Sequence, residues 1–223
     1  MKKVLFLAMI MLMACSASFA QTEVEIMRER QWIVKQTKQE LDARVSKETK
    51  KEAKRLQKEG WMVSPGALPL EKQLERAYLM QYEYDANLYP KYIIANGQSI
   101  GENYDAAKTT AMSLAINDLA GQIQTEVSAW VDNNVANQQL PAEAAISITE
   151  VIKESQQLIN QRIGRVITIT ECYRVLANKN REVLVRIAYD GELAKKMTLS
   201  AIQESLQKKD ANLYQQFEKV VNL

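Results

Sequence analysis

The sequence predicts an α+β fold: a small antiparallel sheet (strand, then helices, then β-hairpin) packed on helices, with a long charged N-terminal helical arm. Three observations predict it. Apolar residues recur at every fourth position from Ala107 to Val127, the signature of a buried helix. Alternating β-prone runs stand on either side of that helical stretch, at 92–99 and at 166–189. Residues 24–59 contain neither Gly nor Pro and are dense in charge.

The first twenty residues read as a cleavable signal peptide. Lys2 and Lys3 form a positive start, and Val4 to Ala14 is an apolar run too short for a spanning helix. Ser18-Phe19-Ala20 supplies the small-x-small cleavage pattern, leaving Gln21 as the first mature residue. Leu12-Met13-Ala14-Cys15 also fits a bacterial lipobox, and on that alternative Cys15 is the lipid attachment point that holds the protein to a membrane surface. Cleavage after Ala20 is the preferred reading because Met13 is bulky for a lipobox.

The arm follows over 21–60. Residues 24–59 carry eleven Lys/Arg and seven Asp/Glu, with Glu40/Arg44, Glu48/Lys51 and Glu52/Arg55 at helical pairing distances. Val34, Leu41, Val45, Ala53 and Leu56 form a thin apolar stripe, so one long solvated helix lying across the main domain is expected to Gly60, with a basic tether or coiled-coil arm, its narrow seam open to self-association, as the alternative. Residues 61–90 read as a linker and short helix. Ser64-Pro65-Gly66 and Pro69 mark the turns, and the helix covers roughly 70–84. Tyr78, Tyr82, Tyr84, Tyr89 and Tyr92 gather around it and are expected at the core edge with wet hydroxyls.

The α+β domain with its C-terminal helix is placed at 91–223. Tyr92–Ser99 is a strand, with Ile93 and Ala95 on one face and Tyr92 and Ile94 on the other. Asn103 or Asp105 caps the central helix, whose stripe runs through Ala107, Ala111, Ala115, Leu119, Ile123 and Val127. Asp132–Gln139 reads as a polar break. Pro141 opens another helix, with Ala145, Ile148, Ile152 and Ile159 inward and Gly164 as its stop. Val166–Leu176 and Val183–Tyr189 form a hairpin around Asn178-Lys179-Asn180. A helical region from Glu192 to Val221 closes the chain, with a bend expected at 208–212. Helices on one face of the sheet are the economical arrangement.

Composition narrows the functional classes. The chain has no histidine, which removes the commonest general base, metal ligand and near-neutral switch. Losing Lys2 and Lys3 with the leader lowers Lys+Arg from 29 to 27, equal to the 27 Asp+Glu. A neutral mature chain offers no field to recruit nucleic acid. Cys172, alone beyond the leader, makes no internal disulfide and reads as a buried inert thiol. Asp132-Asn133-Asn134 lacks calcium-loop spacing, and no phosphate loop occurs, so neither metal nor cofactor is expected. Gly97-Gln98-Ser99-Ile100-Gly101 matches G-x-S-x-G between a strand and a helix. Without histidine, Ser99 lacks its base, and Lys91 and Lys108 stand outside S-x-x-K spacing. The two glycines therefore read as a strand ending, and no catalytic residue is assigned.

The stretch 92–196 resembles the LPP20-like lipoproteins of bacterial envelopes. The matching elements are the strand ending Gly97-Gln98-Ser99-Ile100-Gly101, the helix opening Asp105-Ala106-Ala107 with Ala111, Ala115, Leu119-Ala120 and Ile123, and the strand Val183-Leu184-Val185-Arg186-Ile187. The resemblance implies a periplasmic or outer-membrane-associated domain without a catalytic assignment, and it favours Cys15 as a lipid acceptor. The expectation is an exported, non-enzymatic interaction protein of the envelope that contacts other envelope proteins or copies of itself. A lipid- or small-molecule-binding module using the tyrosines is the alternative, and a serine hydrolase at Ser99 the second.

Overall fold

The structure, a computed structural model, describes residues 27, 28, 30–32, 35, 44–137 and 141–221. The chain divides into two compact units, Met1–Arg44 and Val45–Leu223. In the first, the described residues 27, 28, 30–32 and 35 are helical, with Met27 and Trp32 exposed. The leader and Cys15 lie outside the described residues.

The second unit begins with a correction to the single helix expected over 24–59. Val45 and Ser46 are not helical, and a new helix, α1, runs Lys47–Lys58. Ser46 is its N-cap: the backbone there is extended, and the side chain accepts from the Thr49 amide. Both residues are anchored elsewhere, since Ser46 Oγ donates to Glu75 at 2.9 Å and Thr49 Oγ1 also donates to that carboxylate. Burial raises the Glu75 pKa, but these hydrogen bonds outweigh it and hold the carboxyl below its ordinary value. At the other end Gly60 takes a φ of 89°, which lets Trp61 N reach Leu56 O and Gly60 N reach Gln57 O, closing the helix.

Helix α2, Leu70–Gln81, buries Leu70, Leu74, Ala77 and Met80. The sheet comprises β1 (Tyr92–Gly101), β2 (Ile167–Val175) and β3 (Arg181–Asp190), all antiparallel, in the order β1-β3-β2. Tyr92 pairs with Asp190 at one end of β1 and Gly101 with Arg181 at the other, while a bulge between Thr168 and Thr170 kinks β2. In the β2–β3 turn, Lys179 has a φ of 67°, and the Asn178 side chain accepts from the Asn180 amide.

Inward residues Ile93, Ala95, Val183, Val185, Ile187 and Tyr189 meet the long helix α3, Tyr104–Asn137, which Asn103 caps by accepting from the Ala106 amide. The expected break at 132–139 does not occur before Asn137. Val131 is buried and Val135 packs on the core, so the stripe continues past the polar residues beside it. The helix expected from Pro141 to Gly164 is instead two, α4 (Ala142–Lys153) and α5 (Gln156–Arg162). Ser155 between them is buried, its hydroxyl donating to Ile152 O, while the Gln124 side chain donates to Ile152 O and Lys153 O at the end of α4. At the C-terminus, α6 (Gly191–Lys209) and α7 (Ala211–Val221) are separated by extended Asp210, where the bend was expected.

The α+β class therefore holds, but the sheet is covered on both faces rather than one. Cys172 and Leu184 on the second face pack with Ala53 of α1, Trp61, Leu70 and Leu74, and Ile169 and Ala188 pack with Ala77 and Met80 of α2. The stretch read as charged arm and linker supplies this cover. Met62 extends it by pairing with Tyr173 at the outer edge of β2, and Gln73 accepts the Glu171 amide there. Among the described residues, no helix is long and apolar enough to cross a membrane.

Candidate functional site

Gly97, Ser99 and Gly101 lie on the face of β1 against the first turns of α3. A Cβ on Gly97 would stand 1.9 Å from Ala111 O. The glycine is there because strand and helix backbones touch. Ser99 is inside the strand, paired with Val183, and its Oγ donates to Ala107 O at 3.1 Å. This is not the exposed elbow that G-x-S-x-G chemistry needs. Lys108 is committed to Glu171 and Lys91 to Glu83. Among the described residues, the partner of the Ser99 hydroxyl is the Ala107 carbonyl.

Lys108 belongs to a polar cluster that spacing did not show. Tyr104 OH donates to Glu171, Lys108 Nζ joins the same carboxylate at 2.9 Å, and Ser64 Oγ donates to Tyr104 OH at 2.9 Å. Burial and the Glu171 hydrogen bond both raise the Tyr104 pKa, so the phenol stays neutral, while the Glu171 contact holds Lys108 charged despite burial. Each polar group is thus engaged by another, and the cluster acts as a clamp tying the 61–69 segment to α3 and β2. Beside it an open groove of about 430 Å³ is lined by Trp61, Met62, Ser64, Pro65, Leu70 and Tyr173, among others. On the opposite side of the sheet, Arg174 stacks 4.7 Å over Trp61 and binds Glu182. Cys172 is buried, and burial pushes its thiol up to about 12, as fits an inert core residue. Among the described residues, no three His, Cys, Asp or Glu side chains gather as a metal site.

The tyrosines end up elsewhere than expected. Tyr78, Tyr82, Tyr84 and Tyr89 are exposed rather than at a core edge, and only Tyr92 packs against the second-face core. Leu79 and Leu88 join them outside, Leu88 with 81 % of its surface exposed. The loop is well organised: Tyr84 pairs with Pro90, and Asp85 Oδ1 accepts from the amides of both Asn87 and Tyr89. Leu88 itself has a φ of 66°, a conformation that a leucine adopts at a cost of about 1 kcal/mol. The braced loop thus holds Tyr84, Leu88 and Tyr89 out in solvent. The Tyr-Glu-Tyr-Asp alternation at 82–85 was the available signal, since acids flank each ring.

No family model, no characterised protein and no solved structure matches the chain.

Proposed function

We propose that this is a non-enzymatic interaction protein of the bacterial envelope, exported by its leader and making contact through the loop Tyr84–Pro90 and the last turn of α2. The observation that carries the reading is Leu88, held exposed and left-handed between Tyr84 and Tyr89 by the Asp85 bonds. The leader pattern and the LPP20-like run at 92–196 support the location. The lack of histidine, and the engagement of Ser99 by Ala107 O, support a contact role over turnover.

Affinity capture from intact envelopes tests the proposal, comparing the parent with Leu88→Asp. Partners recovered with the parent should fall about tenfold with the variant, a loss of about 1.4 kcal/mol of contact. The melting temperature should be unchanged, because the residue is outside the core. An identical partner set for both proteins would refute the assigned surface. Intact mass of the exported protein separates a lipidated Cys15 from a free Gln21 start. A second reading rests on the groove beside Trp61 and Tyr173, lined mostly by apolar residues together with Ser64 and Gln57. A small molecule co-purifying with the parent and lost from Trp61→Ala would favour it.

A further inference from the structure

Strand β1 forms one edge of the sheet, so every second residue turns its amide and carbonyl away from β3. Two of these outward groups are stoppered by α3. Gln122 Nε2 donates to Ile94 O at 3.1 Å, and Asp118 Oδ2 accepts from Asn96 N at 3.2 Å. The protection is of the kind that edge strands need. Two strand residues correspond to one helical turn here, so the same row of α3 continues with Leu114 beside Gln98 and Thr110 beside Ile100. Neither can do what Asp118 and Gln122 do: Leu114 has no polar atom, and Thr110 Oγ1 donates to Ala106 O of its own helix. Among the described residues, the outward backbone groups of Gln98 and Ile100 have no hydrogen-bond partner. Leu114 and Ile100 flank that open rung with 45 % and 56 % of their surfaces exposed.

We propose that the β1 edge at Gln98–Gly101 is a docking site for an extended segment of a partner protein. The segment would add a fourth strand, bonding to Gln98 and Ile100 and resting one alternating set of side chains on Leu114 and the other beside Ile100. Asp118 and Glu102 stand at its two ends, and neither forms an ion pair among the described residues. The fitting segment therefore has β-branched or apolar residues at alternating positions, with Lys or Arg at its ends. A second copy of the sheet does not fit. Antiparallel pairing of two β1 edges would set Asp118 of one copy against Glu102 of the other, like charges meeting at both ends. This surface is distinct from the Leu88 loop and stands or falls separately.

The test begins with native-state amide exchange of the purified full chain, followed by selection from a displayed library of random decapeptides. The Gln98 and Ile100 amides should exchange freely, unlike those of Gly97 and Ser99 on the β3 side. Selected peptides should show the alternating pattern with basic ends and slow the Gln98 and Ile100 amides by about tenfold or more. Ile100→Pro, which removes one outward donor and no internal bond, should weaken them about tenfold, as should Leu114→Lys. If Ile100→Pro fails to fold, Leu114→Lys carries the comparison. Protection of both amides in the free protein would overturn the proposal, showing the edge already covered by this chain or another copy. Peptides selected equally by the variants, or binding without slowing those amides, would overturn it too.

Discussion

Replacing Gly97 with Ala should cost more stability than any single-methyl addition elsewhere in the sheet. The new Cβ would lie 1.9 Å from Ala111 O and 2.7 Å from Ala115 N, both backbone atoms of α3. Carbon–oxygen contacts settle near 3.3 Å, so strand and helix must part by roughly 1.4 Å. No rotamer change relieves this clash, because the obstacle is the helical ladder itself. Ala95, Ala107, Ala111 and Ala115 are fully buried along the same seam. A gap of even about 1 Å there forfeits up to half of their dispersion contacts. The sum is at the upper end of overpacking costs, about 3 kcal/mol or more. For a unit of this size, that lowers the melting temperature by about 6–12 °C. The urea midpoint falls by roughly 1.5 M for a slope near 2 kcal/mol/M. Gly164→Ala is the control, since nothing lies within 4 Å of its Cβ position, and it should stay within about 0.5 kcal/mol. A Gly97→Ala variant melting within about 2 °C of the parent would refute the close-approach argument.

Two further outcomes follow from the second face. Burial raises the Glu182 carboxyl pKa, but the bonds from Arg174 and Gln98 outweigh it, so Glu182, like Glu75, sits below its ordinary value of 4.5 in the folded chain. Their stabilisation is complete above the unfolded-chain value and is lost as the pH falls through the folded one. Urea midpoints should therefore drop on acidification below pH 4.5, less steeply in Glu182→Gln; equal acid slopes would show that Glu182 does not contribute. Removing residues 1–60 takes Ala53 and the rest of α1 from beside Cys172, so the thiol should label with maleimide under native conditions. A chain beginning at Val45 should label only on unfolding, and equal labelling of the two would show that α1 is not the cover.

The core of the sheet and α3 was legible because each residue's own periodicity declares its face. Ala107 to Val127 at fourfold spacing and Val183 to Tyr189 in alternation need no knowledge of their partners. The cover on the second face was hidden for the opposite reason. Thr49 is buried because Glu75 reaches it from α2, and Ala53 because Trp61 and Cys172 lie nearby, relations no local pattern carries. The break in the charged run did have a local signal, Ser46 before Lys47-Glu48-Thr49, an N-cap followed by an early acid. At 132–137 polar residues dominate the local composition, while Val131 just before them and Val135 among them carry the buried stripe onward. The clamp at Tyr104, Lys108 and Glu171 could not be read, since its carboxylate comes from a distant strand. The tyrosines were visible, but whether a ring faces core or solvent depends on what packs above it.

The placement of β3 between its two neighbours has a consequence for the order in which the molecule can assemble. Its hairpin with β2 closes locally, across the short turn at Lys179. Its pairing with β1 joins Tyr92 to Asp190, with three helices strung between them. The middle strand is the last of the three to be synthesised, and until it arrives β1 has no lateral partner and α3 only a single strand to lie on. Closure waits for nearly the whole polypeptide, which predicts a slow, late step set by a distant encounter rather than by helix growth.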